Sequence, residues 1–223
     1  MARAPRDRPA SQIALPLDWS AGGANDGPLL VGTSNADAVR YLRHVSTWPV
    51  RTAVLTGPRG SGRSLMGRLF ARETGGRVID GHDSVPEEAM FHAWNAAQAS
   101  GTPLLIVADA PPADWQVALP DLASRLRAVP VLTIGEPDDC LARDLIEALF
   151  AQRGMAISPE VASYIVPRME RSYAMLHRIV AALDAASLEQ GRRVGVRLTR
   201  ETLLSQGLID PDLLERQEPG QCR

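Results

Sequence analysis

The feature that most constrains this chain is the stretch LTGPRGSGRSL at residues 55–65, in which Gly57, Gly60 and Gly62 lead into Arg63 and Ser64. That spacing belongs to a glycine-rich loop whose backbone N–H groups cradle phosphate oxygens at the start of a helix. Such a loop works only between a strand and a helix, and the flanks comply. RTAVLT, residues 51–56, is a β-rich apolar run, and SLMGRLFARE, residues 64–73, carries Leu65, Met66 and Leu69 with helical spacing. In this pattern the loop cation is ordinarily lysine, reaching the outer phosphates, and the next hydroxyl sits on Mg²⁺. Here the cation is Arg63. A guanidinium keeps the charge but replaces a compact ammonium with a broad planar fork that crowds the γ-phosphate position. Phosphate binding is expected to survive, and efficient hydrolysis is not. Composition supplies a competing explanation, since all 24 basic residues are arginine, and a biased background can carry Arg63 with it.

The chain has 223 residues and a formal charge of −2, enough length for one α/β base with a small lid and too little positive charge for a nucleic-acid footprint. Direct sequence-specific DNA binding is therefore not expected. No apolar run approaches the roughly 18 residues of a membrane span, and the basic start MARAPRDRPASQ leads into no continuous apolar segment. A cytoplasmic protein without a membrane partner is the expectation. Cys140 and Cys222 lack metal spacing and read as reduced thiols, while His44, His82, His92 and His177 read as structural or surface residues.

Composition divides the chain into a leader (1–26), a base (27–136), a helical segment (137–206) and a tail (207–223). In the leader, SQIALPLDW, residues 11–19, is an apolar island followed by the linker-like SAGGANDGP. Pro16 argues against a central strand. Gln12, Ile13, Leu15 and Leu17 instead suit an extended anchor that docks elsewhere. In the base, a helix capped by Ser34 or Asn35 precedes the loop. After it come a short strand with Asp80 and Asp83, a helix opened by Pro86 and closed at Gly101, an apolar strand ending in Asp109, a short helix and the strand VPVLTIG. Alternating strands and helices predict a parallel sheet covered on both faces. From Pro137 on, four helical patterns follow, with caps expected at Asp138, Ser158, Ser172 and Thr199.

In this order the pieces QIALPLDW, LLVGTSNADAV, LPDLASRL and ISPEVASYIVPRMERS resemble the AAA+ family, within it the DnaA-related group that includes the Hda-type regulators of the initiator DnaA. The likeness spans most of residues 11–206. It implies a P-loop base with a short parallel sheet, lacking one β-α unit because only four strands can be placed, under a small all-helical lid. It further implies ADP or ATP, with Mg²⁺, on Gly57, Pro58, Arg59, Gly60, Ser61, Gly62, Arg63, Ser64 and Leu65, with Val31 and Asn35 near the adenine. QIALPL resembles the glutamine-led peptide with which such proteins dock on the DNA sliding clamp. Arg125, in LASRL, matches an arginine finger offered to a neighbouring molecule's nucleotide.

Two alignments of the acids compete. Either Asp109 is the Mg²⁺ acid, or VIDGHD is the eroded remnant of the acidic strand, with Asp80 beside Ser64 as metal ligands and Asp109 in the sensor position; the lengths favour the second. Where the family's lid carries an arginine over the phosphates this chain has Ala174, and Arg171 or Arg178 is the substitute one turn away. The resemblance thus implies an adaptor that sits on the clamp and promotes hydrolysis of DnaA-bound ATP; a homodimer is compatible with it. The alternatives are a small P-loop ATPase or kinase with its own turnover, and a clamp-binding adaptor without nucleotide.

Overall fold

The computed structural model describes residues 29–209. Strands β1 (Thr52–Thr56), β2 (Arg77–Asp80), β3 (Leu104–Val107) and β4 (Val131–Thr133) form one parallel sheet in the order β2-β3-β1-β4. β1 and β3 are central and buried on both faces, which is why they read as unbroken apolar runs. The two-residue period sorts their side chains. Ala53, Leu55, Leu105 and Val107 pack with α1 (Ala36–Arg43) and α2 (Arg63–Thr74). Val54, Leu104 and Ile106 turn the other way, onto α3 (Glu87–Ser100) and α4 (Pro120–Leu126). The phosphate-loop helix and the LASRL helix therefore lie on opposite faces of the sheet.

Helices α5 (Asp139–Gln152), α6 (Pro159–Ile165), α7 (Tyr173–Gln190) and α8 (Val196–Ser205) make the lid. Their core residues Ile146, Phe150, Ile165, Leu176 and Leu183 are continuous with Met66 and Phe70 of α2. The lid is thus packed against the same sheet face as the loop. Asp138 and Ser172 cap α5 and α7 as expected, their side chains accepting from Leu141 and Met175 N–H. Ser158 precedes α6 without a side-chain cap, and Thr199 is no cap at all. α8 starts four residues earlier, after Gly195, and Thr199 is buried on its inner face.

Cys140 lies in the first turn of α5; Cys222 lies outside the described residues. So do the clamp-peptide residues Gln12, Ile13, Leu15 and Leu17. Among the described residues no helix is long and apolar enough to cross a membrane.

Candidate functional site

β1 delivers the loop to the carboxyl edge of the sheet, and two glycines set its course. Gly60 (φ +83°) and Gly62 (φ +85°) occupy the left-handed region that side chains with a Cβ avoid. Gly62 is the N-cap of α2, and no side chain among the described residues caps that helix. Its first-turn N–H groups face outward with the positive end of the helix dipole, the arrangement that binds anions. Ser61, only 6% exposed, has a hydroxyl oxygen without a hydrogen-bond partner among the described residues. A buried hydroxyl left so costs about 1–3 kcal/mol. Loop, uncapped helix and orphaned hydroxyl together fit a phosphate group.

The loop cation is engaged elsewhere. Arg63, with its side chain 11% exposed, donates through Nη1 to the Ala108 carbonyl and through Nη2 to Asp109 Oδ1 at 2.5 Å. Arg59 Nε stands 3.6 Å from the other carboxylate oxygen. The hydrogen bond from Arg63 holds the Asp109 carboxyl below the usual carboxylate range, with the charges of Arg63 and Arg59 adding to it and partial burial opposing. β3 lies directly beside β1, which brings Asp109 to the loop. Asp80 ends the edge strand β2, in register with Val107 and exposed. Ser64 is also exposed, and no group of three or more His, Cys, Asp or Glu gathers as a metal site among the described residues.

Between loop and lid lies a cavity of about 180 Å³, small beside the roughly 300–1,000 Å³ of ordinary ligand pockets. Of the residues expected at the nucleotide, Asn35, Gly60, Ser61, Gly62 and Leu65 line it. Val31 does not: it is 40% exposed, and Leu29 and Leu30 take its place. The Asn35 amide serves its own turn, accepting from Gly32 N–H and donating to the Leu30 carbonyl, both at 2.9 Å. Gly57, Pro58, Arg59, Arg63, Ser64 and Asp109 lie outside the lining. Arg171 is absent from it too, mostly exposed and paired with Asp139 at 2.9 Å.

The lid residues that reach the loop are Tyr173 and His177. A Cβ placed on Gly60 would stand 3.0 Å from His177 Cδ2 and 3.5 Å from Tyr173 Cβ. The two are one turn apart on α7 and share a face. That spacing was the only signal in the sequence, and it says nothing of which surface the face meets. Burial pushes the Tyr173 hydroxyl up, and it lies 3.3 Å from Ser34 Oγ.

Asp138 ties lid to base. Besides capping α5 it accepts from Thr33 Oγ1 at 2.5 Å and from Thr33 N–H at 3.3 Å. Burial would raise its pKa, but these hydrogen bonds outweigh it and hold the carboxyl below its ordinary value.

On the opposite face, Arg125 is not free. Its guanidinium lies 4.6 Å from the Phe91 ring centroid and donates through Nη1 to Asn95 Oδ1, so α4 is stapled to α3. The sheet separates this arginine from the loop and lid of its own chain.

Residues 142–203 match the family described as Hda, lid domain. The fold of base and lid together is similar to domain III of the Thermotoga maritima replication initiation protein DnaA (TM-score 0.61, 15% identity, 82% of this chain and 95% of that one). Residues 142–203 thus form a lid of the Hda type, and the base and lid together have the fold of DnaA domain III. AMPPCP-bound DnaA from Aquifex aeolicus shares the fold (TM-score 0.55, 14% identity, 70% of this chain and 63% of that one). An uncharacterized Haemophilus influenzae protein is 33% identical over 118 residues, 52% of this chain. The chain spans about half the length of that curated relative (51%).

Proposed function

We propose that this protein regulates the initiation of chromosome replication by acting on DnaA, with residues 12–17 docking on the DNA sliding clamp and Arg125 promoting hydrolysis of DnaA-bound ATP. The observation that carries the reading is the Hda lid domain at residues 142–203, set on a base with the fold of DnaA domain III. The position of Arg125 supports action in trans. It lies across the sheet from its own loop, where it serves no nucleotide of its own chain, and on a surface that another molecule can approach. A guanidinium delivered to a γ-phosphoryl group stabilises charge in the transition state.

In this reading the protein's own site holds ADP as a structural element between loop and lid rather than turning over ATP. The anion-binding end of α2, the glycine loop and Ser61 support phosphate binding. The pairing of Arg63 with Asp109 leaves the loop without a free cation for the γ-phosphate. Ser64 and Asp80 would be the residues for an accompanying Mg²⁺.

The deciding experiment measures hydrolysis of ATP bound to DnaA in the presence of clamp loaded on DNA, with and without this protein. Faster hydrolysis that requires both the protein and the clamp is expected. An unchanged rate overturns the assignment.

A further inference from the structure

We propose that a second cavity, between α3 and the segment 110–119, is a docking site for an arginine side chain presented by a protein partner. The cavity measures about 570 Å³, within the roughly 300–1,000 Å³ of ordinary ligand pockets, and shares no lining residue with the one beside the phosphate loop. Its apolar part is made by the buried Met90 of α3 and Leu122 of α4 with the partly buried Val85 and Val117. Its aromatic part is a stacked pair, the rings of His82 and Trp115, with centroids 4.2 Å apart and planes 12° apart.

The aromatic part is fixed before any ligand arrives. Trp115 Nε1 donates to the Ala110 carbonyl at 2.9 Å, which holds the indole on its own segment. The N–H groups of Ala118 and Leu119 donate to the two carboxylate oxygens of Glu87 at 2.9 and 2.8 Å, which pins the far end of that segment to the first turn of α3.

The polar part selects the charge. Asp83, Glu87 and Asp114 line the cavity, and none of the arginines does. Glu87 is committed to the two N–H groups, and Asp83 stands 2.8 Å from His82 Nε2. The exposed Asp114 carboxylate has no partner among the described residues. A phosphate is repelled here, and among the described residues no such group gathers closely enough to hold a metal ion. An organic cation on an apolar stem fits all three parts. Of the two such side chains in proteins, arginine fits better. Its guanidinium is planar, stacks on an aromatic face, offers paired donors to a carboxylate and is less strongly hydrated than an ammonium. α3 and α4 also carry the Phe91 and Arg125 pair, so the cavity lies on the sheet face that the proposed finger presents to another protein. That shared side assigns the arginine to a protein partner; the site itself does not depend on Arg125 being a finger.

The test is titration of the full chain with a capped peptide carrying one arginine between two leucines, followed by calorimetry and by the indole N–H resonance of Trp115. Saturable binding that shifts this resonance is expected, with the matching lysine and uncharged citrulline peptides each about fivefold weaker or more. Agmatine, the same cation without a peptide, should also bind more weakly. Asp114→Asn and Trp115→Phe should each weaken the arginine peptide by about twofold to fivefold. Asp121→Asn, at an exposed acid outside the cavity, should leave it unchanged. Melting temperature reports whether each variant folds, and Asp114→Asn alone decides if Trp115→Phe melts early. Equal affinity for the lysine or citrulline peptide, or equal loss from Asp121→Asn, overturns the arginine site. Agmatine binding as tightly as the peptide overturns the protein partner in favour of a small ligand. Failure of the arginine peptide to bind wild type overturns the proposal and leaves the action on DnaA untouched.

Discussion

Arg63 and Asp109 are locked together across the edge of the sheet, Nη2 to Oδ1 at 2.5 Å, with the second arm of the same guanidinium on the Ala108 carbonyl. The carboxylate competes with any anionic ligand for the loop's cation. Asp109→Asn should release Arg63 toward the loop and tighten ADP binding by about threefold to tenfold, measured by titration at neutral pH. Weaker binding would mean that Asp109 positions the loop instead. The sign of the pH effect is definite. With its folded pKa lowered, Asp109 favours the native state above the unfolded carboxylate pKa of about 3.9, and that contribution is lost only as pH falls through the still lower folded value. Between pH 6 and 8 its charge is constant, so a change of ADP affinity in that window arises elsewhere.

Intrinsic ATP turnover should be well below the rate of about 1 s⁻¹ at the low end for enzymes. The acid nearest the loop is paired with arginine, and Asp80 stands one strand further out at the sheet edge. Arg63→Lys should not rescue hydrolysis, because a lysine still pairs with Asp109 while losing the simultaneous contact to Ala108. Phosphate release at about 1 s⁻¹ or faster from either protein would make the chain an ATPase in its own right.

What was legible in the sequence is what local chemistry decides. The glycine spacing demanded strand, loop and helix, and the caps at Asp138 and Ser172 were visible because a cap acts within a few residues. Thr199 misled because a threonine reads alike as a cap and as an interior position. The inner face of α8 is Leu198, Thr199, Thr202 and Leu203 at helical spacing, and it decides for the interior. Val31 failed for a different reason. Which side of an irregular segment meets a cavity depends on the element packed over it, here α5, whose Leu141 and Leu145 line the cavity beside Leu29 and Leu30. His177 was invisible as a site residue because its partner is Gly60, a contact made only by docking the lid.

The latch between lid and base gives a stability prediction. Asp138→Ala removes the α5 cap, a loss of about 0.5–2 kcal/mol, and with it the bonds from Thr33. Thr33→Val removes only the side-chain bond to the base and should cost less. Because the folded pKa of Asp138 is lowered, its contribution is present above about 3.9 and disappears as pH falls through the folded value. Thermal melts from about pH 7 down to pH 3 should show an acid-side decline that is shallower in Asp138→Asn. Identical slopes would contradict the latch.

The anchor is tested separately. Replacing Leu15 and Leu17 by alanine should weaken binding to the isolated clamp strongly, since two pocket-filling side chains contribute roughly 1.5–3 kcal/mol each. Hydrolysis of DnaA-bound ATP should then lose its dependence on this protein. Clamp affinity equal to wild type would remove residues 12–17 from the proposed interface.

Arg125 carries the proposed chemistry, and its contacts with α3 make a simple deletion ambiguous. Arg125→Ala loses the stacking on Phe91, about 0.5–1 kcal/mol, and the bond to Asn95, about 1 kcal/mol. A drop in stability should therefore accompany the loss of stimulated hydrolysis, whereas Arg127→Ala, at an exposed position, should stay within about 0.5 kcal/mol. Asn95→Ala separates the two effects. It cuts the bond that holds the guanidinium against α3 but leaves the guanidinium itself. If Arg125 acts on DnaA's nucleotide, Asn95→Ala should keep full stimulation or exceed it, while Arg125→Ala loses most of the roughly 10³–10⁵ in rate that a finger supplies. Equal loss in both variants would show that the arginine works only as a staple between α3 and α4, and the finger would then have to be sought elsewhere on the chain.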